Sequence, residues 1–491
     1  MCGMETGVKT AIETGTGNGA NDPRGAGRGS GRRRARLVTG VLLGLLVACV
    51  GAGGLLWLTR PQPLPAPPPE PGPAQLATAA VTSGVPAALP HLAALIAERE
   101  RHLRTRPEDA RAWALLGLAY VEQGRRTADA AHYPTAERAL RTSMRLLPHG
   151  NAGALEGMAA LANARRDFRA ARTWGEAALK VDRKRWTTHS LLIEAYTGLN
   201  DYKAAQSTLE RLQKLHSGTA VMARSAAVYW DRGWREDAAA TLSDAAASAG
   251  APAERAAWLE RAGQLAWERG DREVALQHLE EAVRLDPDLR AAQAGQARAL
   301  AALGRTTEAL NAYRVALAEQ PSPGYALELG ELYESLGLDQ AAQVQYDMLR
   351  AQVRNAAAGG VDEELVLGRL EADHGDPDEA VLRLRAEWRK QPGIAVADAL
   401  GWALHRAQEH EEALRFAERA TDKEHGGGVR SALYAYHRGM IEKTLGLHGP
   451  ARRHLREALL INPYFSPLWA PSAREALDEL GEPPQVEPPA A

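Results

Sequence analysis

Apolar and small positions recur along this chain with a period near 34 residues. Ten alanines mark it: Ala136, Ala170, Ala204, Ala238, Ala275, Ala309, Ala342, Ala380, Ala413 and Ala451, spaced 33 to 38 residues apart. Self-similarity at a period of roughly 20–50 residues is the mark of stacked supersecondary units, each unable to bury its apolar face alone. Five residues before the marker stands a glycine in six units: Gly233, Gly270, Gly304, Gly337, Gly375 and Gly446. Glycine there ends a helix, because it takes the left-handed conformation at low cost. Twelve residues before the marker a small residue recurs, and six times it is glycine: Gly117 (allowing for an insertion), Gly263, Gly330, Gly368, Gly401 and Gly439. A glycine inside a helix costs about 1 kcal/mol relative to alanine. Its repeated use predicts a second helix passing very close, with the marker alanine playing the same part on that helix. Prolines close several units (Pro148, Pro287, Pro321, Pro392 and Pro463), since proline cannot continue a helix.

The pattern predicts an all-α chain of about ten helix-turn-helix units. Three irregularities stand out. The first unit has about seven extra residues around Arg125–His132. The units beginning near Asn151, Arg185 and Thr219 lack the glycine of the first helix. The second helix within 324–360 runs long, into AQVRNAAAGG.

One stretch is apolar throughout. Leu37 to Leu58 is 22 residues without a charge, long enough to cross a bilayer as a helix. Arg32, Arg33, Arg34 and Arg36 precede it and only Arg60 follows closely, which places the N-terminus in the cytoplasm and the repeats outside. The segment serves as an uncleaved signal anchor, a cleaved signal peptide, or a lipoprotein leader in which Leu46-Val47-Ala48-Cys49 makes Cys49 the lipidation site. All three export the repeats. The spacing Gly40–Gly44 is also compatible with pairing of membrane helices. The chain thus divides into a basic disordered N-terminus (1–36), the membrane helix (37–58), a Pro-rich linker (59–90), the solenoid (91–467), a capping helix with one polar side (468–480) and a disordered tail (481–491).

Composition narrows the chemistry. Hydrophobic residues make 45% of the chain, enough for a core, but only three are Phe, which suits thin, Ala-rich helix packing. Lys+Arg 59 against Asp+Glu 61 lacks the basic excess of a nucleic-acid binder. The two cysteines, Cys2 and Cys49, lie outside the repeats, so a disulfide framework or Cys metal site is excluded there. Seven of the 14 histidines fall between His374 and His454, yet His405 and His410 are five apart and His448 and His454 six apart. Helical metal pairs need spacings of three or four, so no metal and no cofactor is expected. Adjacent acids such as Glu363-Glu364 and Glu411-Glu412 do not face each other on a helix and read as solvated faces.

The segments ARAWALLGLAY (110–120), AGQLAWERGDREVALQHLEEAVRLDP (262–287) and ALGWALHRAQEHEEALRFAERA (399–420) resemble the tetratricopeptide repeat. The resemblance covers about residues 108–467 and implies a right-handed α-solenoid. RPEDARAWALLGLAYVEQG is similar to the repeat domains of cytochrome c maturation factors. AVADALGWALHRA, YAYHRGMIEKTLG and ALLINPYFSPLWAP are similar to exported repeat proteins of high-GC actinobacteria.

In such arrays the first helices line a concave face. The resemblance places there Trp186, His189, Ile193 and Tyr196; Trp230 and Asp231; Glu260, Gln264, Trp267 and Glu268; Asp398, Trp402, His405 and Arg406; and Tyr436, Met440 and Lys443. Tyr196, Trp230 and Trp267 share one position in three consecutive units. Two roles stay open for these aromatics: anchors for a bound peptide, or ordinary packing between helices. The expected function is a non-enzymatic bacterial scaffold, single-pass in the cell membrane, whose extracytoplasmic repeats bind a protein or peptide. The alternatives are an assembly or maturation factor for exported proteins, of the cytochrome c biogenesis kind, or a repeat lipoprotein. No nucleic acid is expected as partner. Self-association through an end unit is open.

Overall fold

The computed structural model describes residues 70–319, 322–422 and 428–482, which form 23 α-helices and, among the described residues, no strand. The expected membrane segment Leu37–Leu58, with Cys49, the basic segment 1–36 and residues 483–491 of the tail, lies outside the described residues. Among the described residues no helix is long and apolar enough to cross a membrane.

The helices stack in antiparallel pairs. α1 (Pro73–Thr82) and α2 (Leu89–Thr105) lead into ten further pairs. These are α3 (Ala110–Thr127) with α4 (His132–Leu146), α5 (Ala152–Ala164) with α6 (Phe168–Val181), and α7 (Trp186–Gly198) with α8 (Tyr202–Leu215). Next come α9 (Thr219–Asp231) with α10 (Arg235–Ser248), α11 (Pro252–Glu268) with α12 (Arg272–Leu285), and α13 (Arg290–Ala302) with α14 (Thr306–Glu319). The last four are α15 (Pro323–Ser335) with α16 (Asp339–Ala358), α17 (Glu364–His374) with α18 (Pro377–Lys390), α19 (Ile394–Arg406) with α20 (His410–Thr421), and α21 (Ala432–Thr444) with α22 (His448–Ile461). A single helix, α23 (Trp469–Leu480), closes the stack.

The Pro-rich linker was expected to run to residue 90, and the structure shortens it. Pro73 opens α1 at its first turn, where a missing N–H leaves no bond unmade. Ala77, Ala87, Leu92 and Leu95 then form a buried seam that holds α1 and α2 together.

Eight of the ten marker alanines are at most 2% exposed. The other two, Ala170 and Ala204, are only half-buried, and their neighbours Ala171 and Ala205 take the core position at 1% each. The reason is local. The carboxylates of Asp167 and Asp201 cap α6 and α8 by accepting from the N–H groups of Ala170 (3.0 Å) and Ala204 (2.9 Å), which turns the next alanine inward.

The glycines of the first helices sit where the paired helix presses closest. A Cβ added to Gly263 would lie 2.6 Å from Leu279 Cγ, and one on Gly330 would lie 2.2 Å from Tyr346 Cε1. The same crossing pairs Gly117 with Leu140, Gly368 with Leu384 and Gly439 with Leu455, while Gly401 meets the α20 backbone at Ala413 and Ala417. Gly375 departs from expectation. Its φ is −149°, outside the left-handed region, and the next residue, Asp376, caps α18 through its side chain.

Successive turns of the superhelix touch. Arg165 Nε donates to the Gly359 carbonyl (2.9 Å), and the Asp362 N–H donates to the Arg165 carbonyl (3.0 Å). The Phe168 N–H donates to Gln391 Oε1 (3.1 Å), and Asn462 Nδ2 to the Trp267 carbonyl (2.7 Å). Arg272 lies over the Tyr464 ring at 4.2 Å. At Gly233 (φ +77°) an added Cβ would lie 2.6 Å from the Gly428 carbonyl oxygen, so backbone meets backbone there. Each contact joins the turn within one pair to the start of an element about six pairs later. The seam closes the concave side into a channel.

Candidate functional site

The inner faces of the first helices line a cavity of about 1920 Å³ that runs from the loop after α3 to the start of α23. Its wall mixes aromatic rings with charge. Trp230 and Asp231 end α9, Trp267 and Glu268 end α11, and Tyr325, Glu328 and Glu331 come from α15. One polar chain crosses three pairs. Gln264 Nε2 donates to Glu268 Oε1 (2.9 Å), and Arg298 Nη1 donates to Gln264 Oε1 (2.7 Å). Arg298 Nε also pairs with Glu328 Oε2 (3.0 Å), which accepts from the Tyr313 hydroxyl (2.9 Å).

These groups border the channel yet lie deep in the molecule, and burial shifts their acidities. Burial and then the neighbouring charges of Asp373, Glu328 and Glu334 push the Glu331 carboxyl up to about 8. Burial, with the charge of Glu268 adding, pushes Asp231 up to about 7 against a bond from Thr197. Burial also raises Glu260 and Glu268. Arg261 falls to about 10 through burial and the nearby Arg224.

The expected concave-face residues divide. Trp230, Asp231, Gln264, Trp267 and Glu268 line the channel. Arg235 covers one face of Trp230 at 5.1 Å. The α7 residues pack elsewhere: Trp186 stacks on His216 at 4.0 Å, and His189 is buried against the Arg183 carbonyl. Ile193 is core, and the Tyr196 hydroxyl donates to Glu176 (3.1 Å). At the C-terminal end the groove placement is corrected outright. Trp402 is 5% exposed and Tyr436 is 1% exposed. Trp402 Nε1 donates to Asp373 Oδ1 (2.9 Å), the Tyr436 hydroxyl donates to Ser472 (3.2 Å), and both rings pack near Trp469 of α23. His405 stacks on Trp402 at 5.1 Å, Arg406 pairs with Asp373 at 3.6 Å, Met440 packs on the same core, and Lys443 pairs with Glu479. The cap fills the space that is open channel further up the stack.

Reasoning from aromatic residues passed over the charged part of the wall. Glu194, Arg298 and Glu331 line it, and each is the ninth residue of its helix. Among the described residues no cluster of three His, Cys, Asp or Glu is placed to hold a metal ion.

A family model described as tetratricopeptide repeat matches residues 260–326 and 295–353. No curated protein matches the sequence. Similar solved structures include the human IFIT1 dimer with m7Gppp-AAAA, at 16% identity and TM-score 0.45, covering 66% of this chain and 75% of that one. Yeast Tom70 is similar at 13% identity and TM-score 0.31, covering 74% of this chain and 96% of its own. A tetratricopeptide repeat protein from Parabacteroides merdae is similar at 18% identity and TM-score 0.31, covering 53% and 98%. The family match falls on α11 to α16, which are tetratricopeptide repeats, and the same crossing of a first-helix glycine against the paired helix recurs in pairs before and after it.

Proposed function

We propose that this protein is a membrane-anchored, extracytoplasmic scaffold whose channel holds an extended segment of a protein partner. Tetratricopeptide repeats suggest a protein-interaction scaffold in general. The observation that carries the finer reading is the channel itself, where Trp230, Trp267 and Tyr325 line a cavity long enough to span most of the stack. Solenoids use such concave surfaces for extended ligands, and rigid aromatics are the usual anchors. The seam between superhelical turns favours an unfolded segment over a folded domain, which is the property of an assembly factor for exported proteins. The anchor rests on the sequence of Leu37–Leu58 and its flanking arginines.

A photo-crosslinking residue placed at Ala301, in the channel wall, should trap a partner in membranes, whereas one at Val344, 59% exposed on the outer face, should not. Adducts from position 344 alone would refute the channel. Protease added to intact cells should degrade the repeats if they lie outside, and full protection would refute the topology.

A further inference from the structure

We infer that the channel selects polypeptide segments carrying lysine or arginine. The inference rests on the channel being the binding site. Three acidic side chains in its wall, Asp231, Glu268 and Glu331, have no basic group in ion-pair contact among the described residues. All six arginines of the wall are already engaged. Arg125 pairs with Glu122 (3.1 Å), Arg166 with Glu363 (3.1 Å), and Arg298 with Glu328 (3.0 Å). Arg369 bonds the Tyr434 hydroxyl, Arg430 pairs with Glu457 (3.7 Å), and Arg474 donates to the Pro463 carbonyl.

A second observation has the same sign. Asn163, 6% exposed, lines the channel and donates through Nδ2 to the Leu191 carbonyl (3.0 Å). That bond fixes its amide and leaves Oδ1 in the wall with no donor. The Gln352 Oε1 of the same wall also lacks one. Buried acceptors left unmet are costly, and native proteins rarely keep them. The three acids thus lack a cation and the two amide oxygens lack a donor, and an ammonium or guanidinium supplies both. Trp267, beside Glu268, offers a ring face over which such a cation gains further attraction. A polypeptide fits better than a small polyamine, because Leu336, Leu365 and Ile394 of the same wall are incompletely buried and gain from apolar side chains against them.

The test uses the full chain in lipid nanodiscs and three labelled peptides of one apolar background, carrying lysines, glutamines or glutamates, read by fluorescence anisotropy. The lysine peptide should bind about tenfold or more tighter than the glutamine peptide, equivalent to about 1.4 kcal/mol. Asp231→Asn with Glu268→Gln should erase that advantage, so that the lysine and glutamine peptides bind equally. Glu281→Gln, which removes a charge on α12 outside the channel, should leave it intact. If the double variant does not fold by circular dichroism, Glu331→Gln supplies the same comparison. A glutamate or glutamine peptide binding as tightly as the lysine peptide would overturn the charge selection alone. Spermine or a short RNA competing as strongly as the lysine peptide would overturn the polypeptide assignment. Failure of all three peptides to bind would overturn the channel as a peptide site as well.

Discussion

His437 Nδ1 lies 3.0 Å from Asp398 Oδ1 and 3.1 Å from Oδ2, and both side chains are sealed from solvent. Trp402 stacks on the imidazole at 4.3 Å with the planes 14° apart. The pair joins α19 to α21 just below the cap. Removing one partner of such a buried pair leaves the other polar group without compensation, at about 3–5 kcal/mol. Asp398→Ala should therefore lower the stability of the last two pairs by about that amount in urea denaturation. Hydrogen exchange should rise first in α19, α21 and α23, with α11 to α14 little changed. Uniform loss across the chain would contradict a locally held C-terminal block.

Leu279 fills a notch between two helices. Its Cγ presses on Gly263 of its own pair, and its Cδ2 would lie 2.9 Å from a Cβ on Gly295 of the next. Leu279→Ala should cost about 2–5 kcal/mol through lost burial and the cavity left behind. Gly263→Ala is a sharper test. Helix propensity alone would favour it by about 1 kcal/mol, but overpacking against Leu279 costs about 1–3 kcal/mol. The crossing predicts net destabilisation, and the double variant Gly263→Ala with Leu279→Ala should recover part of it. A stabilised Gly263→Ala protein would show that the helices separate there at no cost.

Much of this packing was legible in the sequence, because a helix crossing demands small residues at a fixed spacing and the chain repeats that demand many times. The markers Ala170 and Ala204 slipped by one residue because each stands beside a second alanine, and only the Asp167 and Asp201 caps decide which turns inward. The site was less legible. Trp267 and Trp402 carry the same residue type in first helices, yet one borders the channel and the other is core. What separates them is α23, which covers the end of the stack and exists only at one place in the chain. The seam is illegible for a related reason: it depends on the accumulated rotation of about six pairs, which no single repeat encodes.

The seam makes its own prediction. Arg165→Ala removes the bond to the Gly359 carbonyl and the ion pair with Glu137 (2.7 Å). Gly233→Ala forces a side chain onto the Gly428 carbonyl at a residue with φ +77°, where a Cβ is also strained. Apart from the Arg165–Glu137 ion pair, both changes spare the contacts between neighbouring pairs. The double variant should keep its helical circular dichroism while its radius of gyration in X-ray scattering increases. An unchanged radius would mean that nearest-neighbour stacking alone sets the superhelix.

Two buried groups give the stability of this fold opposite pH limbs. His405 Nδ1 lies 3.1 Å from His410 Nδ1, so one ring donates and the other must stay unprotonated. Burial first, and the neighbouring His410 second, lower the His405 imidazole from 6.5 to about 4. In the unfolded chain this histidine gains a proton as pH falls below 6.5, while the folded protein refuses it until about 4. Stability should therefore be full above pH 6.5 and fall by about 2–3 kcal/mol towards pH 4, at about 1.4 kcal/mol per unit. Glu331 acts in the other direction. Its folded value of about 8 lies above the ordinary 4.5, so its contribution is lost as pH rises between those values. His405→Gln should remove the loss on going from pH 6.5 down to 4, and Glu331→Gln the loss on going from pH 4.5 up to 8, so that where the windows overlap the two variants tilt a stability-versus-pH profile in opposite directions. If both variants tilted the profile in the same direction, the assignment of each slope to one residue would fail.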